Sequence, residues 1–137
     1  MPQPTKAEIV EFFAREFPQS QCVVEEVGDR SATVSHPIGQ DELRPGGTVA
    51  GPLLMGVADV AIYVAVLATI GIVPLAVTTN LNINFLRKPP ADRPIIGKCR
   101  LLKVGRILAI GEVALYSDGT EDMVAHAVGT YSIPPKR

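Results

Sequence analysis

The chain has 137 residues, of which 47% are hydrophobic and 20% charged, and this balance fits one globular domain with its own core. A net charge of −1, without a run of basic residues, excludes the electrostatic footprint of a nucleic-acid-binding protein. The two cysteines, Cys22 and Cys99, lie far apart and lack metal-ligand spacing. We therefore expect reduced thiols in a cytoplasmic protein, with a single disulfide as the alternative.

The first part of the chain is predicted to form a helix, a hairpin and a loop. A capping-box pattern followed by apolar residues at helical spacing predicts an amphipathic helix over about residues 5–17. Two segments of alternating character, 22–27 and 30–36, are typical of a β-hairpin. A polar loop rich in glycine and proline is expected over 37–49.

A long apolar helix is predicted over about residues 52–70. Gly51 is expected as its cap, Pro52 as a first-turn residue and Gly71 as its end. The run is nearly long enough to cross a membrane, but its glycines, small alanines and Asp59 favour a buried helix of a soluble protein. Because the helix is apolar nearly all round, other elements must wrap it.

Four strand-like segments follow this helix, at 76–86, 95–104, 107–116 and 123–133. The sequence contains no repeat or linker, so we expect a single domain over residues 1–137. An antiparallel sheet rolled around one central helix, an α+β fold, satisfies this order of elements. Such a sheet leaves exposed edges, and pairing with a second subunit is therefore expected.

Asp59 is the one charged residue in the apolar run 51–68. An ionised side chain taken out of water costs several kcal/mol unless partners compensate it, which is comparable to the whole stability of a domain. Asp59 is therefore either a hydrogen-bonded structural acid or a group retained for chemistry, and we favour the second interpretation.

Three segments carry a resemblance to a known family. Residues 47–59 (GTVAGPLLMGVAD) resemble the signature of hotdog-fold thioesterases of the PaaI type, G-T-x-H-G-G followed by an acid on the central helix. Residues 78–89 (TTNLNINFLRKP) resemble the strand that follows it, and 102–109 (LKVGRILA) a recurrent strand-turn-strand segment. The resemblance covers about residues 44–133. It implies a hotdog fold, an antiparallel β-sheet wrapped around a long central α-helix, and hydrolysis of acyl-CoA without a cofactor or metal.

The resemblance also implies the catalytic residues. Asp59 falls on the catalytic carboxylate, Gly51 on the glycine whose N–H polarises the thioester carbonyl, and Thr78 near a position often held by a Ser or Thr hydroxyl. Two positions depart from the motif, since Ala50 replaces its histidine and Pro52 its second glycine. The oxyanion donor is a main-chain group, so both changes affect how the substrate is positioned rather than the donor itself.

Further residues are expected to bind the substrate. Arg44 stands where many family members carry Asn or Gln, and it either reaches a substrate carboxylate or, more simply, pairs with Asp41 or Glu42. Met55 is expected to line the acyl pocket. Four basic residues are candidates for the nucleotide phosphates of CoA, with solvated loop charges as the simpler interpretation. They are Arg87, Lys88, Lys103 and Arg106.

The spacing of Gly51 and Asp59 has a consequence for assembly. Eight residues of helix rise about 12 Å, whereas groups that act on one carbonyl and its attacking water lie about 3 Å from the reacting atoms. If both residues serve one site, they come from two subunits. We therefore expect at least a homodimer. A homotetramer is a further expectation, and the choice between dimer and tetramer stays open. The other expected partner is acyl-CoA, and neither nucleic acid nor membrane is expected.

The sequence thus predicts an acyl-CoA thioesterase in which Asp59 is a general base or, alternatively, a nucleophile that forms an anhydride. A non-catalytic acyl-CoA-binding module is a second hypothesis, motivated by Ala50 and Arg44. A purely structural oligomerisation domain is a third, which leaves the charge of Asp59 unexplained. The acyl group, and the choice between CoA and acyl-carrier protein, stay open.

Overall fold

A computed structural model describes residues 3–135 of the chain. A six-stranded antiparallel sheet surrounds one long helix. The elements in chain order are α1 (Lys6–Glu16), β1 (Val23–Gly28), β2 (Ser31–His36), β3 (Leu43–Arg44), β4 (Thr48–Val49), α2 (Gly51–Ile70), β5 (Val77–Phe85), β6 (Ile95–Val104), β7 (Leu108–Ser117) and β8 (Ala125–Ser132). The strand order of the large sheet is β1-β2-β6-β7-β8-β5. The predicted α+β architecture, an antiparallel sheet around a central helix, is confirmed.

The loop predicted over 37–49 contains structure that the sequence pattern did not indicate. β3 and β4 pair there as a separate two-stranded hairpin, preceded by one turn of 3₁₀-helix at Gln40–Glu42. The hairpin turns at Gly46 and Gly47, whose φ angles of 96° and 76° favour glycine. Each strand has only two residues, so no alternation of apolar and polar residues was available to predict it.

α1 begins with the predicted capping box. The Thr5 hydroxyl accepts from the Glu8 N–H at 3.2 Å, and the Glu8 carboxylate accepts from the Thr5 N–H at 3.0 Å. These bonds satisfy two of the N–H groups that a helix start leaves without partners. The apolar face of α1 buries Ile9, Phe12 and Phe13 and packs against β1 and α2.

α2 begins one residue earlier than predicted. Ala50, with extended backbone, is the N-cap, and Gly51 is already the first helical residue. The helix ends at Gly71, whose φ of 108° is available to glycine. By length and composition α2 could cross a membrane, but it contacts all six strands of the large sheet and 61% of its most apolar window is buried. This is the environment of a core helix.

The close approach of α2 to the sheet depends on glycines. Gly97, Gly111 and Gly129 are buried on the face of the sheet that α2 covers, and Gly111 lies directly opposite Gly129 in the β7–β8 ladder. The Ile62 side chain fills the depression between this pair. A Cβ added at Gly129 would lie 2.6 Å from Ile62 Cδ1, and one at Gly111 would lie 3.5 Å from Ile62 Cγ2.

We expect Gly129→Ala to destabilise the fold by about 1–3 kcal/mol, because the new methyl group overpacks a fully buried isoleucine. Urea denaturation at one fixed protein concentration measures this change, since the stability of an oligomer depends on concentration. Thr130→Ala, at the half-buried neighbouring position, is the matched control, with an expected loss below about 1 kcal/mol. Equal stability of Gly129→Ala and the wild type would show that the core has room at this point.

β5 is an edge strand whose outer edge pairs with no strand among residues 3–135. Leu81 and Ile83 lie opposite the buried residues Gly129 and Ala127 of β8 and therefore face the inside of the sheet. Large apolar side chains are nevertheless exposed along this strand, with Val77 at 54% and Phe85 at 52%. Native proteins rarely leave such an edge uncovered.

Candidate active site

The structure brings Asp59 and Thr78 together and adds a third residue, Tyr131. Asp59 Oδ1 accepts hydrogen bonds from Thr78 Oγ1 at 2.5 Å and from Tyr131 Oη at 2.8 Å. Tyr131 Oη also lies 3.0 Å from the main-chain oxygen of Asp59. Asp59 itself is half-buried. Its charge is therefore compensated by two hydroxyl donors while the carboxylate stays accessible from one side.

Strand pairing explains how these residues meet. Thr78 at the start of β5 is paired with Tyr131 near the end of β8, and the next pair is Asn80 with Thr130. Thr79 is thus an extra residue, a β-bulge, which changes the direction of the neighbouring side chains. The bulge lets Thr78 bond to the helix while Leu81, further along the strand, still faces the sheet interior.

Tyr131 is held rigidly. Its side chain is 3% exposed and stacks on the Tyr63 ring, with 5.9 Å between the ring centroids. Burial, and then the negative charge of Asp59, raise the pKa of Tyr131 far above its ordinary value. Burial also raises the pKa of Tyr63, whose hydroxyl donates to the Pro74 carbonyl at 3.2 Å. Tyr131 therefore remains a protonated hydrogen-bond donor at neutral pH.

A cleft of about 520 Å³ lies beside Asp59 and opens to solvent. Its walls come from three parts of the fold: α1, the middle of α2, and the segment that leads into β5. The lining residues are Phe12, Glu16, Phe17, Asp59, Tyr63, Pro74, Ala76, Val77, Thr78 and Tyr131. Aromatic and aliphatic walls around a few convergent polar groups are the usual composition of a small-molecule site.

Gly51, the predicted oxyanion donor, lies at the start of α2. It is the first residue of the helix, and its N–H has no acceptor among residues 3–135. The Phe85 ring packs against it, so that a Cβ at Gly51 would lie 3.3 Å from Phe85 Cζ. The free N–H, together with the partial positive charge of the helix start, suits a developing oxyanion.

Ala50 and Pro52 flank this glycine but offer no second donor. The Ala50 N–H is already bonded to the Glu42 carbonyl at 2.9 Å, and proline has no N–H. Pro52 is exposed, and so is Met55 one turn further along. Gly51, Met55 and Asp59 follow one another at intervals of four residues and therefore share one face of α2.

Within one chain Gly51 and Asp59 do not meet. Both belong to the continuous helix α2, and eight residues of helix separate them by about 12 Å. Each instead contacts a different end of β5: Asp59 contacts Thr78 at its start, and Gly51 contacts Phe85 at its end.

The basic candidates fall into two exposed pairs. Arg87 and Lys88 follow the Phe85 end of β5, where Arg87 Nη1 donates to the Met123 carbonyl at 2.9 Å. Lys103 lies near the end of β6 and Arg106 in the β6–β7 turn, at the opposite end of the sheet, beside the Ala109–Tyr131 pair. Neither pair is buried or ion-paired among the described residues.

Arg44 is exposed on the small hairpin. The alternative ion pair with Asp41 or Glu42 is not formed in the described chain, where Glu42 accepts from the Gly39 N–H instead. Its side chain is therefore free to meet a ligand near the start of α2.

Sequence reasoning missed Tyr131 and Phe85. A single tyrosine in a strand is an ordinary strand former and gives no signal alone. The available sign was a series of small residues at alternate positions of β8, Ala125, Ala127 and Gly129, which Tyr131 continues on the same face. A large side chain with a hydroxyl on a face of small residues indicates a polar partner on the helix above.

Comparisons with known proteins identify the family of this chain. The family model "Thioesterase superfamily" matches residues 46–124. A candidate thioesterase from a Silicibacter species is 41% identical, with coverage of 96% of this chain and 92% of that one and a TM-score of 0.88. No match was found among curated proteins.

Two more distant structures share the fold. Zebrafish thioesterase superfamily member 2 is 19% identical and has a TM-score of 0.84, with 96% of this chain and 99% of that one covered. The PaaI protein of the phenylacetic acid degradation operon of E. coli is 15% identical and has a TM-score of 0.83, with coverage of 94% and 93%. The predicted hotdog fold is confirmed.

Proposed function

This chain belongs to the thioesterase superfamily, and we propose that the thioesters it hydrolyses are acyl-CoAs, at a site shared by two subunits. Family membership supports thioester hydrolysis in general. The observation that carries the finer proposal is the Asp59 carboxylate, which two hydroxyls hold at the side of an open cleft with aromatic and aliphatic walls.

The positions of the proposed base and oxyanion donor along β5 support a site shared by two subunits. Thr78 and Asp59 lie at the start of β5, and Phe85 and Gly51 at its end. If the free edge of β5 pairs antiparallel with the same edge of a second copy, the start of one strand lies beside the end of the other. A two-fold axis near Asn82 then places each Asp59 close to Gly51 of the partner subunit.

The side chains of β5 suit such pairing. With Asn82 opposite itself, the inward-facing Leu81 meets Ile83 of the partner subunit, and Asn80 meets Asn84 of the partner subunit on the outer face. The pairing gives partners to the unpaired main-chain groups of the edge. It also covers the apolar side chains exposed along the strand, and one self-complementary patch serves both subunits.

The geometry yields a hydrolytic mechanism. Asp59 takes a proton from a water molecule, whose oxygen attacks the thioester carbonyl carbon. The N–H of Gly51 of the partner subunit, with the helix start behind it, stabilises the oxyanion of the tetrahedral intermediate. The carbonyl then re-forms and the C–S bond breaks. Asp59 donates this proton to the leaving CoA thiolate, and the products are the free acid and CoA.

Substrate binding is assigned to the surfaces around these groups. The acyl chain occupies the cleft beside Asp59, and Met55 lies between Gly51 and Asp59 on the exposed face of α2. Pairing of β5 brings Arg87 and Lys88 of one subunit to the sheet end that carries Lys103 and Arg106 in the other. These four charges suit the phosphates of CoA. Arg44, Ala50 and Pro52 border the oxyanion position.

Thiol release from a panel of short, medium, long and aromatic acyl-CoAs tests the proposal. We expect clear turnover with at least one acyl class. Absence of turnover across the panel by folded, dimeric protein would overturn it. If calorimetry then still detected acyl-CoA binding, the result would favour the non-catalytic binding module, which the replacement of the motif histidine by Ala50 supports.

A further inference from the structure

We propose that Tyr131 is a positioning residue, which together with Thr78 holds Oδ1 of Asp59 and leaves Oδ2 as the oxygen that takes the proton from water. This inference rests on the proposed thioester hydrolysis, and it assigns different roles to the two oxygens of one carboxylate.

The hydrogen bonds distinguish the two oxygens of the Asp59 carboxylate. Thr78 Oγ1 and Tyr131 Oη both donate to Oδ1, at 2.5 Å and 2.8 Å. Among residues 3–135 no donor reaches Oδ2. Tyr131 Oη also lies 3.0 Å from the main-chain oxygen of Asp59, so it contacts both the side chain and the backbone of this residue. These contacts fix the carboxylate plane and direct Oδ2 away from both donors.

Tyr131 has the properties of a fixed hydrogen-bond donor and not of an acid or base. Its buried ring is fixed between the neighbouring strands, since its residue pairs with Thr78 of β5 on one side and Ala109 of β7 on the other. Burial raises the pKa of its hydroxyl, so it keeps its proton over the pH range of an assay. A hydroxyl that keeps its proton stabilises the ionised carboxylate as a donor and does not accept a proton from water.

The other titratable groups around Asp59 do not replace this support. Glu16 lines the cleft from α1, but its carboxylate is exposed and pairs with Arg15 at 3.4 Å. Tyr63, on α2 itself, donates to the Pro74 carbonyl and not to Asp59. Tyr131 is therefore the one titratable residue of the described cleft that bonds to the Asp59 carboxylate.

Tyr131→Phe removes the hydroxyl and keeps the buried ring. We expect kcat to fall about tenfold, the value of one lost hydrogen bond to a charged group, with KM changed by less than about twofold. Tyr116→Phe is the matched control. Its half-buried ring lies on another part of the sheet, beside Lys98, and no parameter should change.

A second measurement does not depend on turnover. Carboxyl carbon NMR of protein labelled at aspartate gives a signal for each side chain, and the signal that disappears in Asp59→Asn identifies Asp59. In Tyr131→Phe at neutral pH this signal should move from its wild-type chemical shift, because Oδ1 loses a hydrogen-bond donor, whereas Tyr116→Phe should leave it in place.

The outcomes separate the two proposals. Unchanged kcat and an unchanged Asp59 carboxyl signal in Tyr131→Phe would overturn the role of Tyr131, even in an active thioesterase. A loss of activity with no movement of the Asp59 signal would assign Tyr131 to packing alone, and would overturn it as well. If the wild type hydrolyses no thioester but the Asp59 signal moves in Tyr131→Phe, the contact stands and the proposed function fails.

Discussion

Replacing Asp59 by asparagine is expected to lower kcat for acyl-CoA hydrolysis by at least about 10²-fold. Asparagine has the same shape, and its side-chain oxygen can still accept from Thr78 and Tyr131, so the fold should remain intact. An amide, however, does not take a proton from water at neutral pH. Initial rates of thiol release at saturating substrate measure the loss. Circular dichroism and gel filtration establish that the variant is folded and assembled.

Asp118→Asn is the matched control for this change. Asp118 is exposed in the turn that follows β7, where the described structure gives its side chain no hydrogen bond. The same chemical replacement there should leave kcat within about twofold of the wild type. Near wild-type turnover by Asp59→Asn would assign the base to another residue and would contradict the proposed mechanism.

The fold was predictable because local sequence patterns indicate its long helix and its main strands. The long apolar run with Pro52 near its start and Gly71 at its end specified α2, and the alternating segments specified the six strands of the large sheet. The errors arose where a contact that no local pattern indicates shapes the chain. The Ala50 N–H bonds to the Glu42 carbonyl, which extends the pairing of β3 with β4 up to the N-cap of α2.

The candidate site was predictable only in part, for the same reason. Asp59 could be found because a charge in an apolar run is a local anomaly. Its bond to Tyr131 joins residues 72 positions apart and depends on the pairing of β8 with β5. The contact of Phe85 with Gly51 likewise depends on where β5 crosses the helix start. The small residues on the inner face of β8 indicate a polar partner for Tyr131 without identifying Asp59, and no pattern around Phe85 or Gly51 indicates their contact.

Two inactive variants are expected to restore activity to each other when they form a mixed dimer. Gly51→Pro removes the N–H proposed to bind the oxyanion, at a helical position where proline is tolerated, and should lower kcat by about 10²-fold or more. Asp59→Asn removes the base. Gly51→Ala is the control for crowding, since it adds a Cβ against Phe85 but keeps the N–H, and it should lose much less activity.

In the mixed dimer the two defects fall on the same site, because each site takes Asp59 from one subunit and Gly51 from the other. The second site is then intact, so a hybrid purified through two different tags should have about half the activity of the wild-type dimer. If both groups instead acted within one chain, no chain of the hybrid would carry both and activity would stay at the level of the parents. An inactive hybrid that is folded and dimeric would therefore contradict the shared site, and recovery of activity would place the oxyanion donor and the base on different subunits.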